Sequence, residues 1–231
     1  MAVKSFLFSS VPNILYELGS SVKVGGIAKK LGCKSVVVVT DQGLSKLGLT
    51  DSIIEGIERA GLKATVFDKV VEDPPETIVK DLIAHCRSNN GDGIVGLGGG
   101  SSMDAAKLAA FMCGDTKQQI EDIYGVDFTV GNRLPLIQVP TTAGTGSENT
   151  NISVITTGVA EKKGVVGPQL YADYAVLDGD LTITVPPKVT AATGIDAMVH
   201  AIEAYTSKIK KNVLSDVLAI EALKLLSGNI K

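Results

Sequence analysis

The chain carries only two histidines and three cysteines in 231 residues. His85 and His200 lie far apart in sequence, so histidine alone cannot close the coordination sphere of a transition metal here. Cys33, Cys86 and Cys113 show no paired or Cys-x-x-Cys spacing, and their odd number fits a reducing compartment better than a disulfide framework. Three small buried thiols in a reducing compartment are the plain reading. Basic runs and aromatic-basic interleaving are missing, and the net charge is -3, so phosphate backbones and anionic lipid find no general attraction. No apolar stretch approaches the length that crosses a bilayer. The N-terminal segment is partly apolar, but Pro12 and Glu17 interrupt it and no small-residue cleavage pattern follows, so a cytoplasmic location is expected.

What is present suffices for a globular core, with 45% hydrophobic and 20% charged residues, in one large domain or two small ones. Ser35 to Thr40 is a β-branched run ending at Asp41, the pattern of a strand buried on both faces of a parallel sheet. A helical stripe at Ile53, Ile54, Ile57 and Leu62 and a strand at Ala64 to Phe67 follow. The rhythm repeats with a helix from Thr77, a strand at Gly93 to Leu97, a helix from Ser101 to Cys113 and a strand at Leu136 to Val139. An open α/β sheet is therefore expected, with ligands at the carboxyl ends of its strands. From about Pro186 the pattern changes to two long helices, Val189 to Ser207 and Asn212 to Gly228, which places a domain boundary near residue 180.

Three polar features sit at the ends of these elements. Gly96-Leu-Gly98-Gly99-Gly100-Ser101-Ser102-Met-Asp104 joins a buried strand to an alanine-rich helix. Its glycines let backbone N–H groups approach an anion, and the helix turns its positive end toward the same point, so a pyrophosphate fits. It is neither the Gly-x-Gly-x-x-Gly fingerprint nor a Walker loop, and a tight turn capped by Ser101 or Ser102 is the plain alternative. Asp104 and Lys107 read equally as an i, i+3 surface pair. Asp41, directly after its strand, is placed to accept the hydroxyls of a ribose and to repel a 2′-phosphate, or simply to form a turn. Pro140-Thr141-Thr142-Ala-Gly144-Thr145-Gly-Ser-Glu148 offers hydroxyls and bare backbone to a phosphate, ribose or amide.

Asp196 and His200 stand four apart in a stretch that otherwise reads as a buried helix. Asp196, His200 and Glu203 fall within roughly 60° of one another around the helix axis, while Ile195, Met198, Val199 and Ile202 form the apolar stripe. An oxygen and nitrogen donor pair suits Fe²⁺ or Zn²⁺, and a plain Asp-His hydrogen bond is the alternative. Gly194 leaves room for close approach on this helix.

In order along the chain, the Gly98 to Asp104 loop, the Pro140 to Glu148 segment and Gly194 to Tyr205 resemble the iron-dependent (group III) alcohol dehydrogenases, in their lactaldehyde reductase and 1,3-propanediol dehydrogenase branch. The resemblance implies a Rossmann-like open parallel sheet over residues 1–180, then at 181–231 the start of an all-helical metal-binding domain, with the active site in the cleft between them. It implies that Asp41, Gly98, Gly99, Gly100, Ser101, Ser102, Asp104, Thr141, Thr142 and Thr145 hold NAD, with Leu177 flanking the cofactor, and that Asp196 and His200 are two of four metal ligands. The other two would be histidines on later helices, and the family is about half as long again as this chain, so an N-terminal portion is implied. The activity implied is metal-assisted hydride transfer between NAD(H) and a small primary alcohol, diol or aldehyde. A homo-oligomer, dimer or higher, is the expected assembly. The rivals are a metal-free maleylacetate reductase, a zinc-dependent glycerol dehydrogenase and a nucleotide-binding module without catalysis.

Overall fold

A computed structural model describes residues 5–159 and 161–230, so the first four residues of the N-terminal segment lie outside it. The described residues divide into two compact units. One comprises Val11–Thr141 and Ser147–Ile183, and the other residues 5–10, 142–146 and 184–230.

The first unit runs β1 (Ile14–Tyr16), α1 (Val24–Lys30), β2 (Ser35–Asp41), α2 (Gln42–Lys46), α3 (Asp51–Arg59), β3 (Lys63–Val70), α4 (Glu76–Ser88), β4 (Gly93–Gly98), α5 (Gly100–Met112), β5 (Gly125–Val126), β6 (Leu136–Pro140), β7 (Ile152–Thr157), β8 (Glu161–Val166) and β9 (Tyr174–Leu177). The second unit contains α6 (Pro187–Thr206) and α7 (Val213–Asn229). Six strands form one parallel sheet in the order β1-β9-β6-β4-β2-β3. A smaller sheet, β5-β8-β7, pairs β7 and β8 in antiparallel fashion.

The β-branched run of β2 is buried because helices cover both faces of the sheet. Val37 and Val39 pack with Leu82 of α4 and Leu108 of α5, while Val36 and Val38 pack with Val24 and Ile27 of α1 and Ile53 and Ile57 of α3. After β2 the chain adds β3 on one side, and then β4 on the other. That reversal opens a crevice beyond the carboxyl ends of β2 and β4, the place where open α/β sheets bind ligands. Asp41 ends β2 and Gly98 ends β4.

In the helical unit, α7 is capped by the Asn212 side chain, which accepts from the backbone N–H groups of Leu214 (3.1 Å) and Ser215 (3.0 Å). The expectation of a buried helix around Asp196 is corrected here. Only Gly194 and Ala201 of α6 are buried, and Ile195, Val199 and Ile202 are 53%, 45% and 49% exposed. Within its unit α6 packs on α7, which covers one side of the helix only. The space beside Gly194 is taken by Ile230, whose Cδ1 lies 2.6 Å from where a Cβ would stand.

Candidate cofactor site and metal-ligand pair

At the crevice, Asp41 caps the short helix α2: its Oδ1 accepts from the N–H groups of Gly43 (2.7 Å) and Leu44 (3.0 Å). Its Oδ2 has no hydrogen-bond partner among the described residues. Leu44, positioned by that cap, reaches the glycine loop, with its Cδ1 3.2 Å from the point a Gly98 side chain would occupy. Gly98 adopts φ +143°, and a Cβ there would also stand 2.8 Å from the Ser102 hydroxyl. Both constraints require glycine. The Gly98 carbonyl accepts from Thr141 N–H at 3.0 Å, which joins the first loop to the start of the second. One physical chain of contacts thus links Asp41, Leu44, Gly98 and Thr141 along the sheet edge.

Helix α5 starts at Gly100 with Gly99 as its cap, and no side chain satisfies its first turn. Neither Ser101 nor Ser102 caps it. The N–H of Met103 returns to the Gly99 carbonyl, leaving those of Gly100, Ser101 and Ser102 without a protein acceptor among the described residues. Three convergent donors and the positive end of a 13-residue helix make an anion seat. Leu177 ends β9 on the same sheet, half-buried, its carbonyl accepting from Glu17 N–H at 3.3 Å.

Asp104 and Lys107 are not a surface pair. Lys107 is fully buried, and its Nζ donates to the Ile152 carbonyl (2.6 Å), Ser147 Oγ (2.8 Å), Thr150 Oγ1 (3.0 Å) and Asp104 Oδ1 (3.4 Å). Asp104 Oδ1 also accepts from Ser147 Oγ (2.6 Å), and Oδ2 from Val154 N–H (2.8 Å), so both oxygens serve the protein. Burial holds the Lys107 ammonium below the usual lysine range against the pull of Asp104, and burial likewise raises the Glu148 carboxyl. The sequence could not reveal this network, because Ser147, Thr150, Ile152 and Val154 arrive from 40 or more residues downstream.

Asp178 is a second group absent from the sequence reading. Buried just after β9, it accepts from the N–H groups of Gly19 and Ser21 (2.8 Å each) and Asp180 (3.1 Å). Burial opposes its charge, but those donors outweigh burial and hold the carboxyl below the usual range.

In the helical unit, Thr142 is half-buried and Thr145 exposed in a loop whose Gly144 lies against α6. A Cβ at Gly144 would stand 2.6 Å from the Thr193 Cβ and 2.7 Å from its carbonyl oxygen, so only glycine allows this approach. Asp196 and His200 share a face of α6, with Oδ2 and Nδ1 3.8 Å apart, too far for a hydrogen bond, and side chains 43% and 51% exposed. They are partly solvated donors, neither buried nor saturated by each other. Among the described residues no group of three or more His, Cys, Asp or Glu side chains could hold a metal ion. Nor is any helix among them long and apolar enough to cross a membrane.

Residues 12–179 match the family model for iron-containing alcohol dehydrogenase, and residues 190–231 the C-terminal model of the Fe-containing alcohol dehydrogenase family. The chain is 41% identical to long-chain-alcohol dehydrogenase 1 of Geobacillus thermodenitrificans (strain NG80-2) over 231 residues, covering 96% of this chain and 58% of that protein. A crystal structure of 1,3-propanediol oxidoreductase superposes with a TM-score of 0.94 at 32% identity, covering 98% of this chain and 59% of the other. The sulfoacetaldehyde reductase from Bifidobacterium kashiwanohense, in complex with NAD+, gives 0.88 at 33% identity, covering 96% and 59%. The chain therefore spans less than three-fifths of the length of these relatives.

Proposed function

The chain belongs to the iron-containing alcohol dehydrogenase family, and from that premise we propose that it supplies the NAD seat and two metal ligands of an oxidoreductase acting on a small primary alcohol, diol or aldehyde. The observation that carries the reading is the crevice edge at the switch point of the sheet, which carries Asp41 Oδ2 at the end of β2, Thr141 after β6 and the free N–H groups of Gly100 to Ser102 after β4. When bound, the nicotinamide exchanges the hydride and a divalent cation polarises the substrate oxygen.

Asp41 accepts the ribose hydroxyls with the oxygen its cap leaves over, and its charge disfavours a 2′-phosphate. The first turn of α5 holds the pyrophosphate, and Gly98 and Gly99 let the backbone come close to it. Thr141, Thr142 and Thr145 contribute hydroxyls, and Leu177 flanks the cofactor. Asp104 acts through α5, which it fastens to Ser147 and Val154, and not by touching the cofactor. Asp196 and His200 offer one oxygen and one nitrogen to Fe²⁺, or to Zn²⁺, and the remaining ligands come from outside the described residues. Residues 1–180 then form the dinucleotide-binding domain and 181–231 the start of the metal-binding one, in a protein that assembles as a homo-oligomer.

Titration of the 231-residue chain with NADH and NADPH, followed by nicotinamide fluorescence, tests this. NADH binds and NADPH binds at least about tenfold more weakly, and Asp41→Gly narrows that gap. An unchanged ratio removes Asp41 from the ribose site, and no NADH binding at all overturns the proposal.

A further inference from the structure

We infer that Gln138 is a positioning residue of the cofactor seat, a buried amide that fixes the glycine loop from beneath while lowering the stability of the fold. This rests on the reading of that loop as the pyrophosphate seat of NAD. Gln138 is fully buried in β6. By register it lies opposite Gly96 of β4, which in turn lies opposite Val39 of β2, so its side chain stands on the face of the sheet that α5 covers. Its neighbours there, Val39, Leu136 and Ala106, are apolar.

Strand β6 holds the glycine loop at both ends. Before the loop, the N–H of Thr141, just past the strand, donates to the Gly98 carbonyl at 3.0 Å, and after it Gln138 Nε2 donates to the Met103 carbonyl at 2.9 Å. Between these two bonds lie the N–H groups of Gly100, Ser101 and Ser102 that form the anion seat. Within α5 the Met103 carbonyl also takes the N–H four residues on, so it does not need the amide for its own satisfaction. What the second bond adds is a fixed placement of the first turn over the sheet, the kind of support that holds a binding site to its geometry.

The other end of the amide is a liability. Gln138 Oε1 is buried with no hydrogen-bond partner among the described residues. It occupies a slot at Gly96, where a Cβ would stand 2.1 Å from Oε1 and 2.8 Å from the Ala106 Cβ. Gly96 lies within β4 and has no positive φ, so space, not backbone conformation, demands glycine there. An unpaired buried oxygen destabilises the fold relative to an apolar side chain of similar length. Methionine or leucine would fill this position without that penalty, and neither could hold the Met103 carbonyl. Stability and cofactor affinity therefore move in opposite directions when Gln138 is replaced.

Gln138→Met in the 231-residue chain tests this, with Gln138→Leu as a second apolar variant. Each raises the Tm by about 2 °C or more, because the unpaired oxygen is gone. Each weakens NADH binding about fivefold in the fluorescence titration, because the first turn of α5 loses its hold on β6. ADP, which keeps the pyrophosphate and lacks the nicotinamide, loses the same factor in competition with NADH, whereas adenosine, with no phosphate, loses none. A Tm that falls together with NADH affinity makes Gln138 an ordinary core residue and overturns the inference. So does an NADH affinity within about twofold of the unmodified chain, or an equal loss for adenosine. Those results leave the NAD seat standing, whereas an unmodified chain that binds no NADH removes the seat and the role of Gln138 with it.

Discussion

Helix α5 buries ten of its 13 residues, whereas α6 buries two of its 20, although both are rich in alanine and aliphatic side chains. The difference lies in what surrounds them. Helix α5 lies on the sheet with α4 beside it and β7 over it, and the charged side chains it takes inside are answered. Lys107 has four acceptors, Asp104 has donors on both oxygens, and the Met103 carbonyl accepts from Gln138 Nε2 at 2.9 Å. On α6, Asp196 and His200 stand 3.8 Å apart, too far for a hydrogen bond, and no cluster of ligating groups joins them among the described residues. An apolar periodicity announces a helix; its neighbours decide whether the stripe becomes core and whether polar groups on it are support or free donors.

The strongest way to break that contrast is to remove the cation inside α5. Lys107→Ala leaves the Asp104 carboxylate without its buried countercharge and the Ile152 carbonyl, Ser147 Oγ and Thr150 Oγ1 without their lysine donor, and should lower the unfolding free energy by about 4 kcal/mol in urea titrations. Lys107→Met, of similar length but uncharged, should not restore it, because Asp104 stays unpaired. A loss below about 1 kcal/mol would place Lys107 in water and make α5 resemble α6.

Gly98→Ala strikes at the start of the same helix. Its φ of +143° and the Ser102 hydroxyl 2.8 Å from the new methyl cost about 2 kcal/mol of stability. The same strain moves the first turn of α5, so NADH affinity should fall by about tenfold or more in the fluorescence titration, that is by at least about 1.4 kcal/mol. Stability lost with NADH affinity intact would detach the helix terminus from cofactor binding.

The sheet and its glycine loop were legible because their residues leave few choices. Four consecutive valines between Ser35 and Thr40 fit only a strand covered on both faces, and three glycines in a row fit few places but a close approach to backbone or ligand. The strands β1, β7 and β8 were not legible. Strand β1 is three residues long, and β8 begins Glu-Lys-Lys, charges that suit its exposed side and hide its pairing with β7. The burial of Lys107 was invisible because it depends on which residues a distant segment brings alongside. Asp41 is an intermediate case. Both readings of it are compatible with one side chain, because the cap occupies one oxygen and leaves the other.

The smallest effect is expected on the exposed side of α6, where it matters most to the contrast. Ile202 is 49% exposed, with no more than part of its side chain against the rest of its unit. Ile202→Gln in the 231-residue chain should change the unfolding free energy by no more than about 0.5 kcal/mol, since a half-exposed aliphatic position has little apolar contact to lose. Gln also keeps most of the side-chain length and a comparable helix propensity, so the helical circular dichroism should hold. A loss above about 2 kcal/mol in the urea titration would mean that Ile202 is packed as tightly as the side chains of α5. In that event the exposed stripe of α6 would be core, and its Asp196 and His200 would have to be reconsidered as buried partners instead of free donors.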